Sequence, residues 1–168
     1  MTSNSKDIMD VEPGPVVERF LEAYREGDVQ EAGPITVTAD EIIDFARRYD
    51  PLPMHLSASG GQDTVHDSLI ASGVLTIALK QRLIMSIERN TAIIGAVRID
   101  NQQFIKPVRP GDTLSMYQVC TGTRESKSRP DRGLVFWAFK LTNQTGTMVF
   151  SSDDTVMVRR PPLRPPAN

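Results

Sequence analysis

A chain of 168 residues with a formal charge of −2 is long enough to bury a core without staples and too weakly charged to carry a basic nucleic-acid footprint. Its one cysteine, Cys120, cannot form a disulfide within the chain. The opening MTSNSKDIMDVEPGP is polar and acidic where a secretory leader needs an apolar run, so a cytoplasmic location is expected, with small molecules or a second copy of the chain as partners rather than nucleic acid or membrane.

Taken in order, residues 1–15 read as a disordered arm, 16–160 as a single domain, and PPLRPPAN at 161–168 as a polyproline-type tail. In VVERFLEAYREG the spacing of Val17, Phe20, Leu21 and Tyr24 fits an amphipathic helix, but Phe20 to Arg25 fits an edge strand equally well. Gly27-Asp28 signals a turn, and the β-branched ITVT at 35–38 a strand. TADEIIDFARRYDP then reads as a helix. Thr38 is its cap, Glu41 completes a capping box, Ile42, Ile43, Phe45 and Ala46 mark the buried side, and Asp50-Pro51 ends it. The following loop carries both histidines, His55 and His66.

Leu69–Ile87, LIASGVLTIALKQRLIMSI, is apolar on nearly every side in its first half, which predicts a buried helix around which the domain is organised. The uninterrupted apolar part falls well short of the roughly 20 residues of a membrane span. Polarity returns at Lys80, Gln81 and Arg82. Residues 92–106 are strand-like, and the apolar phase of Val97 and Ile99 shifts at Phe104, predicting a bulge near Asp100 to Gln103. A turn at Arg109–Asp112 leads to a strand with Leu114, Met116 and Val119. A charged loop, Arg124–Gly133, precedes LVFWAFKL, which is apolar on both faces and belongs mid-sheet. Asn143–Gly146 turns the chain into a last strand, 147–158. The pattern is α+β: a long central helix wrapped by a curved antiparallel sheet.

Two places could carry chemistry. Asp50 and His55 are joined by a spacer in which Pro51 and Pro53 fix φ, so the chain between them is read as stiff and extended. An imidazole beside a carboxylate is minimal equipment for general acid–base work. The plainer reading makes Asp50 a turn residue and His55 a surface residue. Ser72-Gly73 is the other place. If the helix begins there, Ser72 caps it and the bare Gly73 N–H could polarise an acyl oxygen; otherwise Gly73 merely permits close packing. His66 has no partner pattern and reads as structural or surface. Cys120 has no neighbouring base, no His/Cys/Glu cluster has metal spacing, and no glycine pattern suits a phosphate or dinucleotide loop. Arg124, Lys127, Arg129 and Arg132 read as a solvated hairpin tip that could also meet the phosphates of a carrier.

TVTADEIIDFARRYDPLPMH, LIASG, KPVRPGDTL and the SRPDRG loop together resemble the MaoC-like dehydratase family, relatives of the (R)-specific enoyl-CoA hydratases. The resemblance runs from about Phe20 to Arg160. It implies a hotdog fold, a homodimer with a continuous sheet, and an extended rather than helical Phe20–Val29. It also implies Asp50 and His55 as catalytic residues, and Ser72 and Gly73 at the step where the Gly73 amide polarises a thioester carbonyl. The implied reaction is reversible syn addition of water to a trans-2-enoyl thioester of CoA or acyl carrier protein, giving a (3R)-hydroxyacyl product, with no cofactor beyond the thioester substrate. Leu52 and Ser72 depart from the hydratase pattern, which has asparagine and histidine there. A hotdog thioesterase and a non-catalytic acyl-binding dimer are the rival readings. If the pair is catalytic, replacing either residue is expected to lower turnover while melting barely moves.

Overall fold

A computed structural model describes residues 18–62, 64–87 and 90–162. The expected arm at 1–15 and all but the first two residues of the expected tail lie outside them. Five strands, β1 (Val29–Thr36), β2 (Ile93–Phe104), β3 (Thr113–Glu125), β4 (Arg132–Thr142) and β5 (Met148–Arg159), form one antiparallel sheet in the order β1-β3-β4-β5-β2. Four helices precede the last four strands: α1 (Ala39–Tyr49), α2 (Pro53–Leu56), α3 (Ala58–Gln62) and α4 (Gly73–Ile87). This is the α+β hotdog arrangement, with α4 laid against the sheet.

The core explains the order. Leu75, Leu79 and Leu83, one turn of α4 after another, are buried with Leu114 and Met116 of β3, Val135, Phe139 and Leu141 of β4, and Phe150 of β5. As expected of a run apolar on both faces, LVFWAFKL lies mid-sheet, between β3 and β5. The helix is not buried all round, because Val74, Ala78, Gln81 and Met85 form an exposed stripe at helical spacing. The return of polarity at Lys80 does not mark a surface either, since that side chain is inside.

Local differences from the sequence reading have physical causes. Phe20–Val29 is neither a regular helix nor an uninterrupted strand: a single 3-10 turn, Leu21–Ala23, sits between extended Phe20 and Tyr24. Residues three apart eclipse in such a turn. Leu21 and Tyr24 therefore enter the core together, Tyr24 meeting Trp137 edge-on at 5.8 Å between ring centroids. β1 starts at Val29, well before the expected ITVT, and is bulged between Ala32 and Ile35. In β3 the inward residues are Leu114, Met116, Gln118 and Cys120, so Val119 faces the other way. The bulge expected in β2 is present, with the register shifting between Asp100 and Gln103. β2 pairs with β5 alone among the described residues, and Ile93, Ile94, Val97 and Ile99 along it stay exposed. No helix among the described residues is long and apolar enough to cross a membrane.

Candidate functional site

α1 delivers Asp50. Its first turn is capped by Thr38, whose Oγ1 accepts the Glu41 N–H at 3.1 Å. The capping box is only half made, because the Glu41 carboxylate turns to Arg82 of α4 at 3.4 Å and ties the two helices together. At the far end the Asp50 N–H still donates to Ala46 O, at 2.9 Å, after which Pro51 stops the helix.

The spacer to His55 is stiff but not extended. Leu52 adopts the extended conformation that a following proline imposes, with ψ 141°, and donates its N–H back to Asp50 O at 2.8 Å. Pro53 then occupies the first position of α2, where its missing N–H leaves no helical bond unmade, so the chain coils at once. This compact turn folds His55 back toward Asp50.

His55 is buried, with 4% of its surface exposed. Its Nδ1 lies 2.9 Å from Ile70 O, and Ile70 N–H donates to Met54 O at 3.1 Å, so α2 is stitched to the segment that enters α4. A carbonyl oxygen only accepts, so Nδ1 carries the hydrogen and, in the neutral ring, Nε2 presents its lone pair. Nε2 lies 3.6 Å from Asp50 Oδ2, too long for a direct hydrogen bond and short enough for both groups to meet one water.

α4 begins at Gly73. Ser72 is buried and occupied by the cap, its Oγ accepting the Val74 N–H at 3.1 Å and its carbonyl accepting the Thr76 N–H at 3.0 Å. The Gly73 N–H donates to nothing among the described residues and lies at the positive end of the helix. A Cβ at this position would stand 2.9 Å from the Phe104 ring, so glycine is what lets Phe104 lie over the helix start.

A cavity of about 310 Å³ joins His55 to Gly73, its walls including His66, Thr76, Phe104 and Val149 as well. The structure thus brings His55 and Gly73 to one hollow, sets Asp50 behind the imidazole, and leaves Ser72 to the helix start. His66, read as structural or surface, is half-buried in the cavity wall. Arg109, from the KPVRPGD element, fixes that wall by donating to His66 O at 2.9 Å and to Ser68 Oγ. Sequence reasoning also missed a buried cluster of Lys80, Ser152 and Asp154, whose one signal was a lysine a turn after Thr76 and a turn before Ile84 in an apolar helix. Cys120 is buried mid-strand, and burial pushes its thiol pKa up. Among the described residues no group of three or more His, Cys, Asp or Glu side chains gathers in a metal-ligating arrangement.

The family model for the MaoC like domain matches residues 22–133. The chain is 35% identical to the MaoC-like dehydratase of Rhodospirillum rubrum, whose crystal structure superposes with a TM-score of 0.80 over 86% of this chain and 99% of that one. It is 27% identical over 141 residues to a protein of Bacillus subtilis strain 168, covering 83% of this chain and 99% of that one. An (R)-hydratase from Pseudomonas aeruginosa, 21% identical, shares the fold at a TM-score of 0.67, with 89% of this chain and 95% of that chain covered.

Proposed function

The chain belongs to the MaoC-like family, and from that premise we propose that it is an acyl-thioester hydratase or dehydratase acting on trans-2-enoyl thioesters to give (3R)-hydroxyacyl products. The observation that carries the proposal is that His55 lines one cavity with the Gly73 amide, which has no hydrogen-bond partner among the described residues, while Asp50 Oδ2 stands 3.6 Å from His55 Nε2.

The chemistry follows from those positions. Water held between the imidazole lone pair and the carboxylate loses a proton to one of them as its oxygen bonds to C3. The electrons of the double bond shift toward the thioester carbonyl, whose oxygen gains negative charge. Gly73 N–H meets that charge at the positive end of α4, and an interaction stronger in the transition state than in the ground state is what accelerates a reaction. That same proton is then delivered to C2 on the same face, by the group that took it or, after crossing to it, by the other member of the pair, so both groups end as they began and the balance closes; dehydration runs the steps in reverse. The thioester substrate and water are the only reactants needed. The exposed apolar residues of β2 suit a second copy pairing along that edge, and a homodimer is the assembly proposed.

The test is loss of the conjugated enoyl-thioester absorbance on adding the protein to crotonyl-CoA. Hydration is expected in the native protein, with kcat lowered about 10²–10⁴-fold in Asp50→Asn, as for removal of general acid–base catalysis. Release of free CoA thiol in step with the fall in absorbance, or full turnover by Asp50→Asn, overturns the assignment.

A further inference from the structure

A second cavity of about 340 Å³ lies farther along α4, with Ile84, Ile87, Trp137, Phe139, Asp154 and Val156 among its walls. Lys80 stands between the two hollows. Thr76, Lys80 and Ile84 are successive turns of one helix face; Thr76 lines the first cavity and Ile84 the second.

Lys80 is 1% exposed. Its Nζ lies 2.6 Å from Asp154 Oδ2 and 3.1 Å from Ser152 Oγ, and that hydroxyl donates to Asp154 Oδ1 at 2.7 Å. The amine also sits 4.6 Å from the Phe139 ring centroid and 5.8 Å from that of Phe150. Phe139 belongs to the second cavity, while Phe150 packs at 5.2 Å against Phe104 of the first. An ion pair, a hydroxyl and two aromatic rings therefore form one continuous wall.

Stability gives little reason for such a wall, because well-packed apolar residues of similar volume often serve a core as well as a buried ion pair or better. Its effect is on passage: an alkyl tail running down α4 from Gly73 would have to displace a satisfied charged network. Nor is the far chamber finished for an alkyl tail. Gln118, 4% exposed, lines it with an Oε1 that has no hydrogen-bond partner among the described residues, and a saturated chain would leave that oxygen unmet.

We propose that Lys80, Ser152 and Asp154 close the acyl pocket and restrict the protein to short-chain thioesters. At about 1.5 Å per residue, the pocket then runs roughly 10 Å along the helix from Gly73 to Lys80. This inference rests on the acyl-thioester reading of the site.

Two kinds of measurement separate them: hydration of crotonyl-CoA and dodecenoyl-CoA, and calorimetric binding of the unreactive butanoyl-CoA and dodecanoyl-CoA. The native protein should hydrate crotonyl-CoA with a kcat/KM at least about tenfold above that for dodecenoyl-CoA. In the double variant Lys80→Met/Asp154→Leu, dodecanoyl-CoA should bind about tenfold or more tighter than to the native protein, with butanoyl-CoA unchanged. Ile84→Phe fills the far chamber; it should abolish that gain in the double variant and leave both affinities of the native background unaltered. Equal hydration of the two enoyl thioesters by the native protein overturns the wall and leaves the hydratase reading intact. Weakened dodecanoyl-CoA binding in Ile84→Phe alone also overturns it, because tails would then already pass Lys80, and this result does not depend on the double variant folding. The expected binding pattern without hydration of any thioester supports the wall and overturns the hydratase reading.

Discussion

His55 and Asp50 face each other asymmetrically: Nε2 stands 3.6 Å from Asp50 Oδ2, while Nδ1 is held at 2.9 Å by the carbonyl of Ile70. The imidazole side chain is 5% exposed and the carboxylate side chain 27%. One member of the pair is therefore built into the interior, and the other is only leaned against it.

The two substitutions should separate in stability. His55→Ala removes the donor to a buried carbonyl, which costs about 1–3 kcal/mol. Asp50→Asn keeps shape and leaves no buried group unmet, so its effect should stay within about 0.5 kcal/mol. Urea unfolding of both variants measures this. The expectation from sequence that neither change moves melting is thereby revised for His55, and Asp50→Asn becomes the cleaner probe of chemistry.

Lys80→Met alone leaves the Asp154 carboxylate buried without its cation and should lower unfolding stability by about 3–5 kcal/mol. Lys80→Met combined with Asp154→Leu removes both charges and should recover most of that loss. Denaturant titration of the single and double variants provides the measurement, and a double variant as unstable as the single one would contradict the expectation.

Gly61 of α3 is buried, and a Cβ there would land on the carbonyl of Ser68. Ser68 leads directly to Ile70, whose carbonyl grips His55. Gly61→Ala should therefore lower stability by about 1–3 kcal/mol through overpacking, and lower kcat as well by shifting the imidazole. Thermal melting and enoyl-thioester hydration, run on the same preparation, test both halves of the expectation.

Cys120 is held protonated chiefly by desolvation, against a smaller lowering effect of a hydrogen bond with the Gly122 backbone. With the folded pKa raised above the unfolded one, the native state holds its proton longer. Its contribution to stability is complete below the ordinary thiol range and is lost as pH rises through the folded value. Ellman's reagent at mildly alkaline pH should react slowly with the native protein and rapidly after unfolding.

What could be read from sequence was whatever short-range patterns determine. α1 was legible because a cap, a helical apolar stripe and a proline stop lie within one stretch, and Asp50 came with it. The bulge between Asp100 and Gln103 was legible because a phase change in apolar spacing has few other causes. The shape of the spacer was not: Pro53 suits an extended chain and a first helical position equally, and only the docking of Met54 and His55 onto Ile70 chooses between them. The role of Lys80 was not legible, because helical periodicity reports polarity and is blind to a carboxylate some seventy residues away on β5. His66 was undervalued for a similar reason, since Arg109, which sets its loop, lies beyond α4 and β2.

The stacking of Thr76, Lys80 and Ile84 on one flank of α4 makes the helix a graduated rule. Each mark is one turn from the next, about 5.4 Å. A change at any mark raises or lowers the floor of the hollow by that whole interval, so relatives built on this scaffold should differ in reach by steps rather than by a continuous drift.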